Sequence, residues 1–172
     1  MTSSREVPGS TTEAQTAARR RALETRRKAG TSWFYWVAAL SAINSGVRLM
    51  GGHWGFLFGL GITQVIDAVA LGDVPEEGAT LPVGAFLLDI LVAAAVALVG
   101  YFAQKGHSSA YVAGIGFYGL DALLFGFAGD YLGLFIHVFA LWGMWRGFSA
   151  HRELRAMERP DRWQAPSTGS AA

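Results

Sequence analysis

The chain has 172 residues, and 16% of them are charged, against about 25% in a typical soluble domain. Hydrophobic residues make up 52%, and there is no cysteine, which excludes disulfide bonds, thiolate metal sites and cysteine nucleophiles. Most of the 14 lysines and arginines lie before residue 29 or after residue 145. The composition therefore indicates one membrane domain between two polar tails.

Residues 1–30 form the first tail, whose composition predicts a cytoplasmic segment that is largely disordered or helical. The first apolar run begins only at Trp33, so no cleavable signal peptide is visible and the run should remain as an anchor. The basic residues of the tail act as a topology signal under the positive-inside rule. The alternative is that they attract anionic lipid or an acidic partner.

Five apolar segments follow within a membrane domain that covers residues 31–149. They are residues 33–50, 54–71, 81–105, 109–129 and 131–148. A helix needs roughly 20 apolar residues to cross a bilayer, and the run at 81–105 meets that length most clearly. The polar residues 150–172 form a second cytoplasmic tail.

The segment 33–50 opens with four aromatic residues, which are typical of a membrane interface. One of its helical faces carries a polar stripe made of Ser41, Asn44, Ser45 and Arg48. The segment 54–71 is ambiguous, because three glycines loosen its first half while Gln64 and Asp67 share a face. Three interpretations of the segment 54–71 therefore stay open: a full span, a re-entrant segment and an interfacial helix.

Each of the last three segments carries an ionisable residue. Asp89 lies in the segment 81–105 on a face of small residues, namely Ala85, Ala93, Ala97 and Gly100. Small residues let another helix approach closely, so this carboxylate should face protein and not lipid. Asp121 shares a stripe with Gly114 and Tyr118, and His137 lies in the last segment.

The distribution of basic residues favours four crossings over five. If the segment 54–71 does not cross, both tails and Lys105 are cytoplasmic, while Arg48 and the acidic loop 72–80 lie outside. If all five segments cross, the basic residues are divided equally between the two sides. We therefore predict an all-α integral membrane protein with four transmembrane helices plus one re-entrant or interfacial segment. The alternative is five transmembrane helices.

The four-crossing topology places one polar group of each span at a similar depth. At a rise of 1.5 Å per residue, this layer lies roughly 9–12 Å below the outer surface and contains Asn44, Asp89, Asp121 and His137. Supporting polar residues are Arg48, Gln64, Asp67 and Tyr118.

Three interpretations of the polar layer compete. In the first, the layer is hydrogen-bonded structure that fixes the register of the helices. In the second, it is a proton or cation pathway, for which intramembrane carboxylates and histidine are the usual components. In the third, it is a metal site in which His137, Asp89 and Asp121 are the ligands, although no helix carries the spacing of a dedicated metal motif.

No signature of an enzyme is present, since the chain lacks GxSxG, HExxH, a Walker loop and a Rossmann fingerprint. The basic tails also lack the motifs of a nucleic-acid-binding module. We therefore expect no catalytic residue, no resident metal or cofactor and no nucleic-acid partner. The expected partners are the lipid bilayer and, through small-residue helix faces, a second copy of the chain or a larger membrane complex.

Four sequence blocks, FYWVAALSAINS, GLGITQVIDAVA, GYFAQKGH and YGLDALLFGFAGD, resemble a family of small bacterial polytopic membrane proteins of unknown function, with four to five helices. The resemblance covers about residues 33–148 and leaves out both tails. It implies a bacterial membrane setting and assigns no functional residue.

Taken together, the residues predict a small non-enzymatic protein of the inner membrane with both termini in the cytoplasm and a structural or accessory role. The alternative is a small transporter or a proton- or cation-handling protein that uses the layer of aspartates and histidine.

Overall fold

The computed structural model describes residues 8–52, 59–72 and 81–158. Within these ranges the chain has five helices and no strand, which confirms the all-α prediction. The helices are α1 (Pro8–Leu49), α2 (Gly61–Leu71), α3 (Val83–Gln104), α4 (Ser108–Phe127) and α5 (Tyr131–Met157). Four predicted parts lie outside the described residues, namely 1–7, 54–58, the acidic loop from 73 to 80, and 159–172.

The basic tail and the first apolar segment form one continuous helix, α1, of 42 residues. The residues between 12 and 28 are mostly good helix formers such as alanine, arginine and glutamate. Extending an existing helix needs no new nucleus, so no break occurs where the polarity changes at residue 30. In the same way α5 continues past residue 148 into the polar segment and ends at Met157.

The helices turn sharply at two glycines with left-handed backbone. Gly106 has φ 93° between α3 and α4, and Gly129 has φ 75° between α4 and α5. This conformation is easily adopted only without a side chain. Asp130 then caps α5, because its Oδ1 accepts a hydrogen bond of 2.9 Å from the Gly133 N–H.

The four long helices α1, α3, α4 and α5 run antiparallel in a bundle. The Leu81 N–H donates to the Arg48 carbonyl at 3.2 Å, which joins the end of α1 to the start of α3. At the other end the Tyr111 hydroxyl donates to the Arg27 carbonyl at 3.4 Å. We name these two ends the α2 end, where α1 stops, and the basic end, where the N-terminal half of α1 meets the end of α5.

The tightest helix crossing joins α1 to α5. The backbones of Gly30 and Gly147 approach so closely that a Cβ added to either would overlap the other. Next to this crossing, Phe34 fills the space above Gly100 of α3 and Gly114 of α4. The glycines at these contacts allow the helices to approach closely, and this is their role here rather than backbone flexibility.

Two of the described helices, α3 and α4, are long and apolar enough to cross a membrane. The short helix α2 has 11 residues, and at 1.5 Å per residue it extends only about 16 Å, roughly half of a hydrocarbon core. The helices α1 and α5 are long enough, but both are more polar than α3 and α4 over their most apolar stretch.

Replacing Gly147 by alanine should destabilise the bundle, because the added Cβ overlaps the backbone of Gly30. At an open helical position alanine is favoured over glycine by about 1 kcal/mol. The matched control is Gly119→Ala on α4, where no atom lies within 4 Å of the added Cβ. In detergent, the unfolding temperature should fall for Gly147→Ala and stay level or rise for Gly119→Ala. Equal behaviour of the two variants would contradict the close crossing.

Candidate functional site

A network of buried polar side chains surrounds α2 at the α2 end of the bundle. Helices α1, α3 and α4 contact α2 directly through polar groups, and α5 supports one of these contacts. The network consists of two clusters, one at the N-terminus of α2 and one further along it at Asp67. These clusters form the candidate site.

The first cluster is built on the carboxylate of Asp121 in α4. Its Oδ2 accepts a hydrogen bond of 2.9 Å from the Gly61 N–H, and its Oδ1 accepts one of 2.8 Å from the Ile62 N–H. The first N–H groups of a helix have no partner within the helix and carry partial positive charge. Asp121 therefore caps α2 from a different helix, in place of Leu60, whose apolar side chain cannot cap it.

The hydroxyl of Ser41 on α1 completes this cap. Its oxygen accepts a hydrogen bond of 2.8 Å from the Leu60 N–H, while the hydroxyl itself donates to the Val37 carbonyl at 2.9 Å. Three successive N–H groups at the start of α2 are thus bound by side chains of two other helices. Leu60 is fully buried, so its N–H would otherwise lack a partner in an apolar environment.

His137 on α5 holds Asp121 from the other side. Its Nδ1 lies 2.8 Å from the Gly133 carbonyl, which can only accept, so Nδ1 carries a proton. Its Nε2 lies 3.2 Å from Asp121 Oδ2, and this contact also needs a proton. Both Asp121 oxygens also accept backbone N–H groups, so His137 is the third group that contacts this carboxylate.

Two aromatic rings enclose the imidazole of His137. The Tyr118 ring stacks on it with centroids 4.6 Å apart, and the Phe125 ring lies at 4.2 Å. These rings enclose the imidazole and fix its orientation. The Tyr118 hydroxyl is buried and has no hydrogen-bond partner among the described residues.

The second cluster joins Asp67 of α2 to Asp89 of α3. The Ser45 hydroxyl donates to Asp89 Oδ2 at 2.7 Å, and Arg48 Nε lies 3.5 Å from Asp67 Oδ2. The two carboxyl groups lie within hydrogen-bonding reach of each other. Two acceptors can form such a bond only when one of them is protonated.

The remaining oxygen of each carboxyl group in this cluster has no other partner. Asp67 Oδ1 and Asp89 Oδ1 are both buried without a hydrogen bond in the described part of the chain. Asp67 is 2% exposed and Asp89 is 0% exposed, so neither oxygen faces bulk solvent. A single shared proton satisfies both groups, as in other pairs of closely spaced carboxyl groups.

Burial raises the pKa of Asp67 to about 7, and the hydrogen bond and negative charge of Asp89 act in the same direction. The guanidinium of Arg48 acts in the opposite direction and does not outweigh them. Asp67 therefore titrates near neutral pH, where an ordinary aspartate is fully ionised.

The predicted site residues occupy different positions in this arrangement. Asp121 and His137 are in direct contact, whereas Asp89 belongs to the second cluster with Asp67 and Arg48. The predicted single layer is thus two clusters along α2. Of the other predicted residues, Asn44 is partly buried on α1, and Gln64 is exposed on α2.

The sequence reasoning missed the roles of Ser41 and Ser45. Both lie on the polar stripe that the sequence shows on α1, but their partners are a backbone N–H at residue 60 and a carboxylate 44 positions away. Helical spacing shows that polar residues share one face of a helix, but it does not show which groups of other helices that face contacts. The capping role of Asp121 was missed for the same reason, since its partners are backbone groups.

No group of three or more metal-binding side chains occurs within the described ranges. The aspartates and histidine proposed as ligands are instead divided between the two clusters. Comparisons with models of known protein families, with curated proteins and with solved structures found no match for this chain. The assignment of a function therefore depends on the geometry of the chain itself.

Asp67 should make stability depend on pH. Its pKa of about 7 in the folded protein exceeds the ordinary value of 3.8, so the folded state binds more protons between these values, and stability falls as pH rises from about 4 to about 7. We expect a higher unfolding temperature at pH 5 than at pH 8, and a smaller difference in Asp67→Asn. Asp130→Asn, which removes a carboxylate from the same end, should keep the difference. A pH profile that Asp67→Asn leaves unchanged would show that Asp67 titrates normally.

Proposed function

We propose that this chain is a small, non-enzymatic integral membrane protein of the bacterial cytoplasmic membrane with a structural or accessory role. In this proposal α1, α3, α4 and α5 cross the bilayer, α2 enters it without crossing, and both ends of the chain lie in the cytoplasm. The observation that carries the proposal is the apolar outer surface of α3 and α4.

The outer surface of these two helices supports a bilayer environment. Only 22% of the apolar stretch of α3 and 33% of that of α4 is buried within the protein, whereas a core helix of a soluble protein is mostly buried. Large apolar side chains point outward along both helices: Leu87, Leu91, Leu98, Val112, Leu120 and Leu123. An apolar surface of this extent needs lipid or a partner protein to cover it.

The distribution of charge along the bundle supports four crossings. Among the described residues, ten of the eleven lysines and arginines lie towards the basic end, and Arg48 lies at the α2 end. An even number of crossings brings both ends of the chain to one side, and an excess of basic residues marks the cytoplasmic side.

The use made of the buried polar groups supports a structural role. Three N–H groups at the start of α2 are bound by the two oxygens of Asp121 and the hydroxyl of Ser41. His137 contacts the same Asp121 carboxylate through Nε2 and its own helix through Nδ1. Polar groups of this kind fix the register of helices in a membrane. A protein of this design can pack with a second copy or with a larger membrane complex through its apolar outer surface.

The proposed topology predicts which end of the bundle is accessible from outside the cell. Because the chain has no cysteine, Met50→Cys at the α2 end and Lys105→Cys at the basic end give two matched single labels. Both native side chains are exposed. In intact cells a membrane-impermeant maleimide should label Met50→Cys, whereas Lys105→Cys should react only after lysis. Labelling of both positions, or the reverse pattern, would refute the four-crossing topology.

The pair of Asp67 and Asp89 favours a second candidate function, a proton- or cation-handling membrane protein. Asp67 Oδ1 and Asp89 Oδ1 are buried and have no hydrogen-bond partner in the ranges that the structure describes, and Asp67 titrates near neutral pH. Such groups are the usual components of proton pathways in membranes. In this alternative the pair binds and releases the transported proton, and Arg48 stabilises the deprotonated form.

A flux measurement separates the two candidates. In vesicles that contain the purified protein and an internal pH dye, the structural role predicts no proton flux above that of empty vesicles under an imposed potential. The alternative predicts flux that falls at least about tenfold in Asp67→Asn and in Asp89→Asn, because neither variant can exchange a proton there. Asp130→Asn is the control. Flux that survives both changes would exclude the carboxyl pair as its route.

A further inference from the structure

A polar pocket lies at the basic end of the bundle, far from the network around α2. It has a volume of about 250 Å³ and lies between α1, the turn from α3 to α4 and the end of α5. The charged and titratable side chains that line it are Glu24, Arg27, Lys105, His151, Arg155 and Glu158. We name it the basic pocket.

The two glutamates of the basic pocket are bound by an arginine that does not line it. Glu24 Oε1 lies 3.3 Å from Arg20 Nε, and Glu158 Oε1 lies 3.4 Å from Arg20 Nη2. Arg20 therefore offsets one of these two negative charges from outside the pocket, and the three cations that line the pocket outnumber its two glutamates.

The three cationic side chains of the pocket form no ion pair within the described residues. Arg155 Nη1 donates to the Ser108 hydroxyl at 3.4 Å, and Arg27 Nη1 donates to the Gln104 carbonyl at 3.5 Å, so both contact neutral acceptors. Arg27 Nε is buried and has no acceptor in the described part of the chain. Lys105 lies 5.3 Å from the centre of the Tyr101 ring. The pocket thus has unused donors and excess positive charge.

Burial and the positive charge of the pocket together lower the pKa of its histidine, His151. Burial lowers the pKa of His151, and the charges of Arg27 and Arg155 lower it further, while Glu158 acts in the opposite direction. His151 is 3% exposed, and its Nε2 lies 3.1 Å from the Ser108 hydroxyl. Ser108 also begins α4, whose N-cap residue His107 makes no side-chain cap, so the helix adds partial positive charge nearby.

We propose that the basic pocket binds a phosphate group, held by Arg27, Lys105 and Arg155. Guanidinium groups donate paired hydrogen bonds to phosphate oxygens, and a lysine adds a point charge. The volume is several times the roughly 30 Å³ that one water molecule occupies in the liquid, which is enough for a single phosphate group. The phosphate belongs either to the head group of an anionic lipid or to a free ion or small metabolite. The proposal does not depend on the structural or proton-handling role.

The first test uses inorganic phosphate and protein in a non-ionic detergent. At constant ionic strength, replacing chloride by phosphate should raise the unfolding temperature in a saturable way, by at least about 2 °C. The increase should disappear in Lys105→Gln and Arg155→Gln. It should persist in Arg21→Gln, which removes an exposed charge of α1 outside the pocket.

A second measurement keeps the test valid if a variant is poorly folded. In the unmodified protein, a bound anion offsets the charges of Arg27 and Arg155, so the pKa of His151 should rise on binding. Nuclear magnetic resonance of labelled histidine side chains measures this rise, and His107, which does not line the pocket, serves as the internal control.

The source of the phosphate is determined by repeating both measurements in lipid nanodiscs. If phosphatidylglycerol raises the unfolding temperature and the pKa of His151 relative to phosphatidylcholine, and free phosphate does not, the ligand is a lipid head group. If free phosphate acts in phosphatidylcholine nanodiscs, the ligand is a soluble anion. If neither changes the pKa of His151, or if Arg21→Gln abolishes the stabilisation as fully as Arg155→Gln, the proposal is wrong.

Discussion

The carboxylate of Asp121 at the start of α2 is the interaction on which the α2 end of this protein depends. It accepts two backbone N–H groups that have no partner within their own helix. His137 contacts the same carboxylate from α5, so one side chain joins three helices.

The position of α2 in turn places Asp67 beside Asp89. A carboxyl group on its own in this environment would be expensive to bury, and the second carboxyl group, Ser45 and Arg48 together reduce that cost. The result is a site that holds a proton near neutral pH, while the first cluster is held by hydrogen bonds to Asp121. One end of the bundle therefore combines a permanent structural contact with a group that can change its charge. At the basic end, three cations that form no ion pair among the described residues line a pocket, and this charge suits an anion.

The sequence predicted the helices well, because hydrophobic runs and glycine turns are local signals. The runs at 81–105 and 131–148 correspond closely to α3 and to the first two-thirds of α5. The contacts of the polar residues could not be predicted in the same way. Asp67 and Gln64 were expected to share a face, yet one is buried and the other is exposed, since the two positions differ by about 60° around a helix of 3.6 residues per turn. The basic pocket was also missed, because its cations come from three separate parts of the chain.

Amide hydrogen exchange tests most directly whether Asp121 holds the first turn of α2. In the unmodified protein the amides of Gly61 and Ile62 should be protected, because each donates to an oxygen of the Asp121 carboxylate. In Asp121→Ala they should exchange about 10- to 100-fold faster, as expected for the loss of hydrogen bonds to a charged group, while amides in the middle of α4 keep their protection. Asp130→Ala, which removes the cap of α5, should leave Gly61 and Ile62 unchanged. Equal protection of these two amides with and without the Asp121 carboxylate would contradict the account.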